Sequence, residues 1–229
     1  MKNKIRLLFG AAAVFLISVS SVVWYLNSGG CKGSECGLQE AMASVTYSVC
    51  VTGDSISYGM GDSAGGWAER LGYYLLDRYP GSSVGNYSLP GATSLGVKEL
   101  YDSGCGSQGA DISIIAAGIN DSARSMNMDA FKNNLREVHK KASKVSSKVV
   151  FIGLTTVVED RLKGLNYRNS SIAAYDQELK DLANELEAAY IDMKGVLDDS
   201  DISEDGLHPN DFGHEKMFLK IKDYIESSK

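Results

Sequence analysis

The chain has little of what a nucleic-acid or metal protein needs. Its 229 residues carry 23 Lys and Arg against 29 Asp and Glu, for a formal charge of −6. No extended basic surface is left to neutralise phosphates, so nucleic acid is a poor candidate for the partner. Histidine is scarce, with three in the chain, which restricts any search for an imidazole base to His139, His208 and His214. The four cysteines have spacings that suggest no zinc site. Internal repeats and low-complexity tracts are absent. What the chain does have is apolar content: at 44% hydrophobic residues it is not a disordered protein, and its length favours one domain plus appendages.

The amino terminus is the first appendage. "MKNKIR" is followed by a run from Leu7 to Leu26 without a charge, and 20 helical residues at about 1.5 Å each span roughly 30 Å, the hydrocarbon thickness of a bilayer. Cations before the run and none until Lys32 predict a cytoplasmic amino end and an exported remainder. Trp24 and Tyr25, at the level of an interfacial aromatic belt, favour a retained membrane anchor. The competing reading is a cleaved signal peptide ending near Ser18 and Ser20, which would leave a secreted protein. Lipoprotein processing is disfavoured, because "NSGGC" lacks an aliphatic residue before the cysteine. The expected organisation is an anchor or signal at residues 1–26, a linker at 27–44 and a folded domain at 45–229.

Export changes how the cysteines are read, since thiols outside the cytoplasm tend to pair. Four cysteines allow three complete pairings. Cys31 and Cys36 lie close enough in the Gly- and Ser-rich linker to close a local loop. Cys50 falls in the first expected strand and Cys105 in a glycine-flanked turn. Nothing in the sequence brings these two within bonding geometry, and a buried free thiol is an equal reading for Cys50.

Beyond the linker, short apolar runs alternate with helical periodicity. "TYSVCV", "SSVGNYS", "DISIIAAG", "KVVFIGL" and "AYIDM" read as strands. Between them Trp67, Leu71, Tyr74 and Leu75 recur at helical spacing until Pro80, residues 94–103 form a short helix, and Phe131, Leu135, Val138 and Ala142 mark another. Ile172, Tyr175, Leu179, Leu182 and Leu186 mark a further helix, and residues 211–226 the last, with Pro209 expected in its first turn. Strands apolar on both faces and separated by helices predict a parallel sheet covered on each side, a three-layer α/β/α sandwich. In such folds ligands gather beyond the carboxyl ends of the strands. Four segments there, or just before the last helix, hold unusual residues: "GDS", "NYSLPGAT", "GIND" and "DGLHPND".

These segments contain the parts for acyl transfer. A serine hydroxyl is a weak nucleophile until a base takes its proton, and the base works best when a third group fixes its tautomer. Ser55 is the candidate nucleophile. Asp205 and His208, spaced Asp-x-x-His with Gly206 permitting a tight turn, supply the orienting carboxylate and the base. Oxyanion donors are the backbone N–H of Ser55, the backbone N–H of Gly91 and the side-chain amide of Asn120, each worth roughly 3–4 kcal/mol in favourable cases.

The four segments resemble, in order and spread, the blocks of the SGNH, or GDSL, hydrolase superfamily over about residues 46–226. Ser55 in "GDS" matches the first block, Gly91 the second, Asn120 in "GIND" the third, and Asp205 with His208 in "DGLHP" the last. The resemblance implies a flavodoxin-like SGNH fold, with a five-stranded parallel sheet between helices, and hydrolysis of an ester or thioester without metal or other cofactor. Two positions depart from the family pattern. Ser88 stands where many relatives have glycine, and Ile56 replaces the leucine of the GDSL name.

The remaining polar residues have plainer readings. Asp54 and Asp121 are expected to support their turns. His139, among Lys140, Lys141 and Lys144, is expected in solvent, and His214 is expected to pack or face water. Asp205, His208, Asp211 and His214 could alternatively be metal ligands, with Ser55 incidental. Glu159, Arg161, Lys163, Tyr167 and Arg168, in the loop after the fourth strand, read as a solvated charged loop, with lining of the substrate entrance as the alternative, and Arg124 follows "GIND" without an assigned role. The expectation is a serine esterase acting on a small-molecule or cell-envelope ester. Its rivals are an O-acyltransferase using the same acyl-enzyme and a non-catalytic envelope binding protein.

Overall fold

In a computed structural model of the chain, residues 45–227 are described. The expected anchor, the linker and the pair Cys31 and Cys36 lie outside them. Among the described residues no helix is long and apolar enough to cross a membrane.

The five apolar runs form β1 (Ser48–Thr52), β2 (Ser83–Asn86), β3 (Ala110–Ile115), β4 (Ser146–Ile152) and β5 (Ala189–Ile191). They pair in the order β2-β1-β3-β4-β5, and every pairing is parallel. Side chains alternate across a strand, so each central strand feeds two cores. Val49, Val51, Ile112, Ile114, Val150 and Ile152 point to one, while Cys50, Ile115, Val149 and Phe151 point to the other. The first core is closed by α2 (Gly66–Arg78) and α8 (Asp211–Ser227), through Trp67, Leu71, Leu75, Met217, Ile221 and Ile225. The second is closed by α3 (Ser94–Ser103), α6 (Met128–Val145) and α7 (Asn169–Glu185), with Val97, Phe131, Leu135 and Leu179 among its members. This is the three-layer α/β/α sandwich that the alternation of runs predicts.

Three short helices were not legible in that alternation: α1 (Ser55–Tyr58), α4 (Cys105–Gln108) and α5 (Ile119–Ala123). Two of them begin in segments read as turns, "GDS" and "GIND". Pro209 corrects an expectation. It pairs with Ile202 in an isolated antiparallel bridge, and α8 begins two residues later, where the Asn210 side chain accepts from the N–H groups of Phe212 (3.0 Å) and Gly213 (3.1 Å). Asparagine is the stronger cap because its oxygen satisfies donors that proline's position cannot reach.

The ladder runs past the carboxyl ends of the strands. Leu89 N–H donates to Gly53 O at 3.0 Å, Ala116 to Thr52 O at 3.0 Å, and Gly153 to Ile191 O at 2.9 Å. The turns after β1, β2 and β3 are thereby held side by side on one edge.

Cys50 and Cys105 form a disulfide that ties β1 to α4, with Cα atoms 5.6 Å apart. This settles the reading of Cys50 as a bonded residue rather than a free thiol. Among the described residues no cysteine is free. The bridge spans a sequence separation of 55, for which loop-closure entropy suggests roughly 4 kcal/mol. Reduction, or replacement of both residues by alanine, should therefore lower the melting temperature by roughly 10 °C. Calorimetry with and without reductant measures this, and an unchanged melting temperature would contradict it.

Candidate active site

The turn that carries Ser55 begins where β1 ends. A Cβ on Gly53 would sit 2.7 Å from Ser57 Oγ and 2.9 Å from Ala116 O, so only glycine lets the chain turn this close to the end of β3. Asp54 then caps α1, its Oδ1 accepting from Ile56 N–H at 2.9 Å. Ser55 is the first residue of α1 and its backbone N–H has no carbonyl one turn earlier to bond. Helix α1 stops at Gly59, whose φ of 102° suits glycine.

Ser55 Oγ lies 2.9 Å from His208 Nε2, and His208 Nδ1 lies 2.5 Å from Asp205 Oδ2. The other Asp205 oxygen accepts from the N–H groups of Leu207 (2.9 Å) and His208 (3.0 Å). A carboxylate at neutral pH only accepts, so Nδ1 carries the proton and Nε2 is left to accept from the serine hydroxyl. Partial burial works against the Asp205 charge, but the imidazole and the two backbone N–H groups outweigh it and hold the carboxyl below its ordinary range. The loop that carries His208 is fixed in turn: Gly206 adopts φ 76°, its carbonyl accepts from Val158 N–H at 2.8 Å, and His208 O accepts from Ser203 N–H at 2.8 Å.

The second and third segments are stitched together. Asn120 Nδ2 donates to Ala92 O at 3.0 Å, Arg124 Nη2 donates to Gly91 O at 3.1 Å, and Asp121 accepts from both the N–H (2.9 Å) and the hydroxyl (2.6 Å) of Ser94. Gly91, at φ 78°, adopts a backbone conformation that other residues rarely tolerate. Asp121 therefore holds the start of α3 rather than its own turn, and Arg124, which had no assigned role, braces the Gly91 peptide.

The four residues considered as metal ligands go to separate partners. His208 faces Ser55 and Asp205, while Asp211 accepts from the Ser63 hydroxyl at 2.8 Å. His214 is fully buried, with Nδ1 accepting from Trp67 N–H at 3.2 Å and Nε2 donating to Met60 O at 2.9 Å. Among the described residues no cluster of His, Cys, Asp or Glu could hold a metal. His139 is half-buried and stacks on Phe151 at 6.3 Å, so it is not the solvated residue its lysine neighbours suggested. In the loop at 153–168, Glu159, Lys163 and Arg168 are exposed as the solvated reading expects, while Arg161 and Tyr167 are half-buried. Tyr167 OH donates to Asn120 Oδ1 at 2.8 Å. No periodicity marks that contact, and only the presence of an aromatic in a charged stretch could have drawn attention to it.

A family described as GDSL-like Lipase/Acylhydrolase matches residues 51–216. A protein described as a multidomain esterase from Ruminococcus flavefaciens is 28% identical over 81% of this chain, which spans 30% of that relative's length. Among solved structures, the lipase/acylhydrolase from Enterococcus faecalis superposes with a TM-score of 0.70 at 20% identity, covering 79% of this chain and 96% of that one. Axe2, an acetylxylan esterase from Geobacillus stearothermophilus, gives 0.66 at 18% identity, covering 78% and 94%.

Asp54 precedes Ser55 and is 4% exposed. Burial pushes its carboxyl up to about 7; the Ile56 N–H opposes the shift and the nearby Asp121 charge adds to it. An unfolded aspartate titrates near pH ~3.9, so between about pH 4 and 7 the folded state holds a proton that the unfolded chain has lost. Stability is accordingly greatest below that window and falls as pH rises through it. Asp54→Asn keeps a capping oxygen and removes the titration. Its stability relative to the parent, measured by urea denaturation, should rise across roughly pH 4–7 and then level off; a difference independent of pH would contradict the assignment.

Proposed function

The chain belongs to the GDSL-like lipase/acylhydrolase family, and we propose that it is a carboxylic ester hydrolase that works through an acyl-enzyme on Ser55 and removes short acyl groups, in particular acetyl groups on carbohydrate, outside the cytoplasm. The observation that carries the mechanism is the continuous chain of hydrogen bonds from Ser55 Oγ through the His208 ring to Asp205.

Ser55 Oγ attacks the acyl carbon as His208 Nε2 takes its proton. Asp205 stabilises the imidazolium that forms, and the carbonyl electrons move onto the oxygen, which accepts from Ser55 N–H, Gly91 N–H and Asn120 Nδ2. Collapse of this intermediate breaks the bond to the alcohol oxygen, and His208 returns its proton there. Water then enters, gives a proton to His208 and attacks the acyl-enzyme. The second collapse releases the acid and restores the serine hydroxyl. No step draws on a metal or cofactor.

The short-acyl, carbohydrate reading is supported by the likeness in fold to an acetylxylan esterase. The extracytoplasmic reading is supported by the charge pattern around Leu7 to Leu26 and by the Cys50–Cys105 bridge, a bond that persists in oxidising compartments. Full-length protein found in the cytosolic fraction of its host would count against it.

Ser55→Ala should lower kcat by roughly 10⁴-fold or more with the melting temperature unchanged, and adding His208→Ala should cost little further, because the pair acts as a unit. Turnover of p-nitrophenyl acetate should exceed that of longer-chain esters, with acetylated xylo-oligosaccharides also cleaved. Retained activity in Ser55→Ala would overturn the mechanism, and preference for long chains would overturn the substrate class.

A further inference from the structure

An asparagine amide has two ends of almost the same shape and opposite polarity. Only the nitrogen end can stabilise an oxyanion; turned by half a rotation, Asn120 would present an acceptor to a developing negative charge. Something must therefore fix which end faces the substrate.

Two groups meet the amide. Ala92 C=O can only accept, so the atom 3.0 Å from it is Nδ2. The opposite end is then Oδ1, and it accepts from Tyr167 OH at 2.8 Å. One amide N–H is used on Ala92, which leaves the second for a ligand oxygen. The geometry points to Tyr167 as a positioning residue for the oxyanion site, holding Asn120 with its nitrogen toward the substrate from a loop that supplies no nucleophile, base or oxyanion donor. This rests on the reading of Asn120 as an oxyanion donor.

The loop is built for such a role. Asn166 Nδ2 donates to Ala123 O at 3.0 Å and Ser171 Oγ to Ser122 O at 3.3 Å, so residues on both sides of Tyr167 grip α5, the helix that carries Asn120. Tyr167 is itself partly buried and packs against the apolar core on the α2 and α8 side of the sheet. Burial, with the nearby Asp54 charge, raises its phenol above the ordinary value, so Tyr167 remains a proton donor throughout the working range of a histidine base. Donation into Oδ1 also polarises the amide and strengthens what its N–H can offer.

Removal of the hydroxyl leaves Oδ1, on a side chain only 4% exposed, without its donor and lets the amide sample the wrong rotation. Tyr167→Phe should therefore lower kcat roughly 10- to 100-fold while KM changes by less than about twofold, the pattern of an interaction made in the transition state. A strut that merely holds the loop would lower stability and add its effect to any other.

A double-mutant cycle with p-nitrophenyl acetate separates the two. Asn120→Ala alone should cost roughly 10²- to 10³-fold in kcat, and Tyr167→Phe in that background should cost nothing more. Additive losses, or an unchanged kcat in Tyr167→Phe, would overturn the inference. If Asn120→Ala itself leaves kcat intact, the oxyanion reading fails and Tyr167 loses its role with it. Should Tyr167→Phe not fold, the same cycle is run with Tyr167→Gln, and absence of coupling to Asn120 again refutes the assignment.

Discussion

Everything in the proposed chemistry depends on a 2.9 Å contact between Ser55 Oγ and His208 Nε2, two atoms separated by 153 positions of chain. A parallel sheet makes that contact attainable. Its strands all end on one edge, so the turn after β1 meets the long connection at 192–210 that leads from β5 into α8. The same edge receives the turns after β2 and β3, which bring Gly91 and Asn120. The sheet edge is the physical reason the Ser55–His208–Asp205 chain and the proposed oxyanion donors can be drawn from distant segments of one small domain.

Holding that contact takes more than the triad. Gly53 lets the chain turn within van der Waals distance of Ala116, and Asp54 and Gly59 confine α1 to one turn. On the opposite side Gly206 and Ser203 fix the loop that presents His208. Two acids lie close by without taking part in proton transfer. Asp121 spends its oxygens on Ser94, and Asp54 is held largely neutral at acidic pH by burial.

Much of this was legible in the sequence, for identifiable reasons. Strands apolar on both faces and helices with a repeated core face leave unmistakable periodicity, and Ser55, Gly91, Asn120, Asp205 and His208 lie in short segments whose order is itself a signal. The helices α1, α4 and α5 were missed because four or five residues are too few to establish a period. Asn210 rather than Pro209 begins the last helix because capping is decided by which oxygen reaches the free N–H groups. The Cys50–Cys105 pair depends on how α4 packs under β1, a tertiary fact with no local trace. Tyr167 is the instructive miss: its partner is 47 positions away, in a charged loop where an aromatic residue carries no pattern, and only the packed structure shows the phenol meeting the amide.

The most direct test of the central claim is covalent. A fluorophosphonate reacts with a serine only where a base removes its proton and donors stabilise the charge on the phosphoryl oxygen. Incubation of the intact protein followed by peptide mass mapping should place one adduct on Ser55, and labelling should vanish in His208→Ala. An adduct elsewhere, or none on a folded and otherwise active protein, would contradict the account.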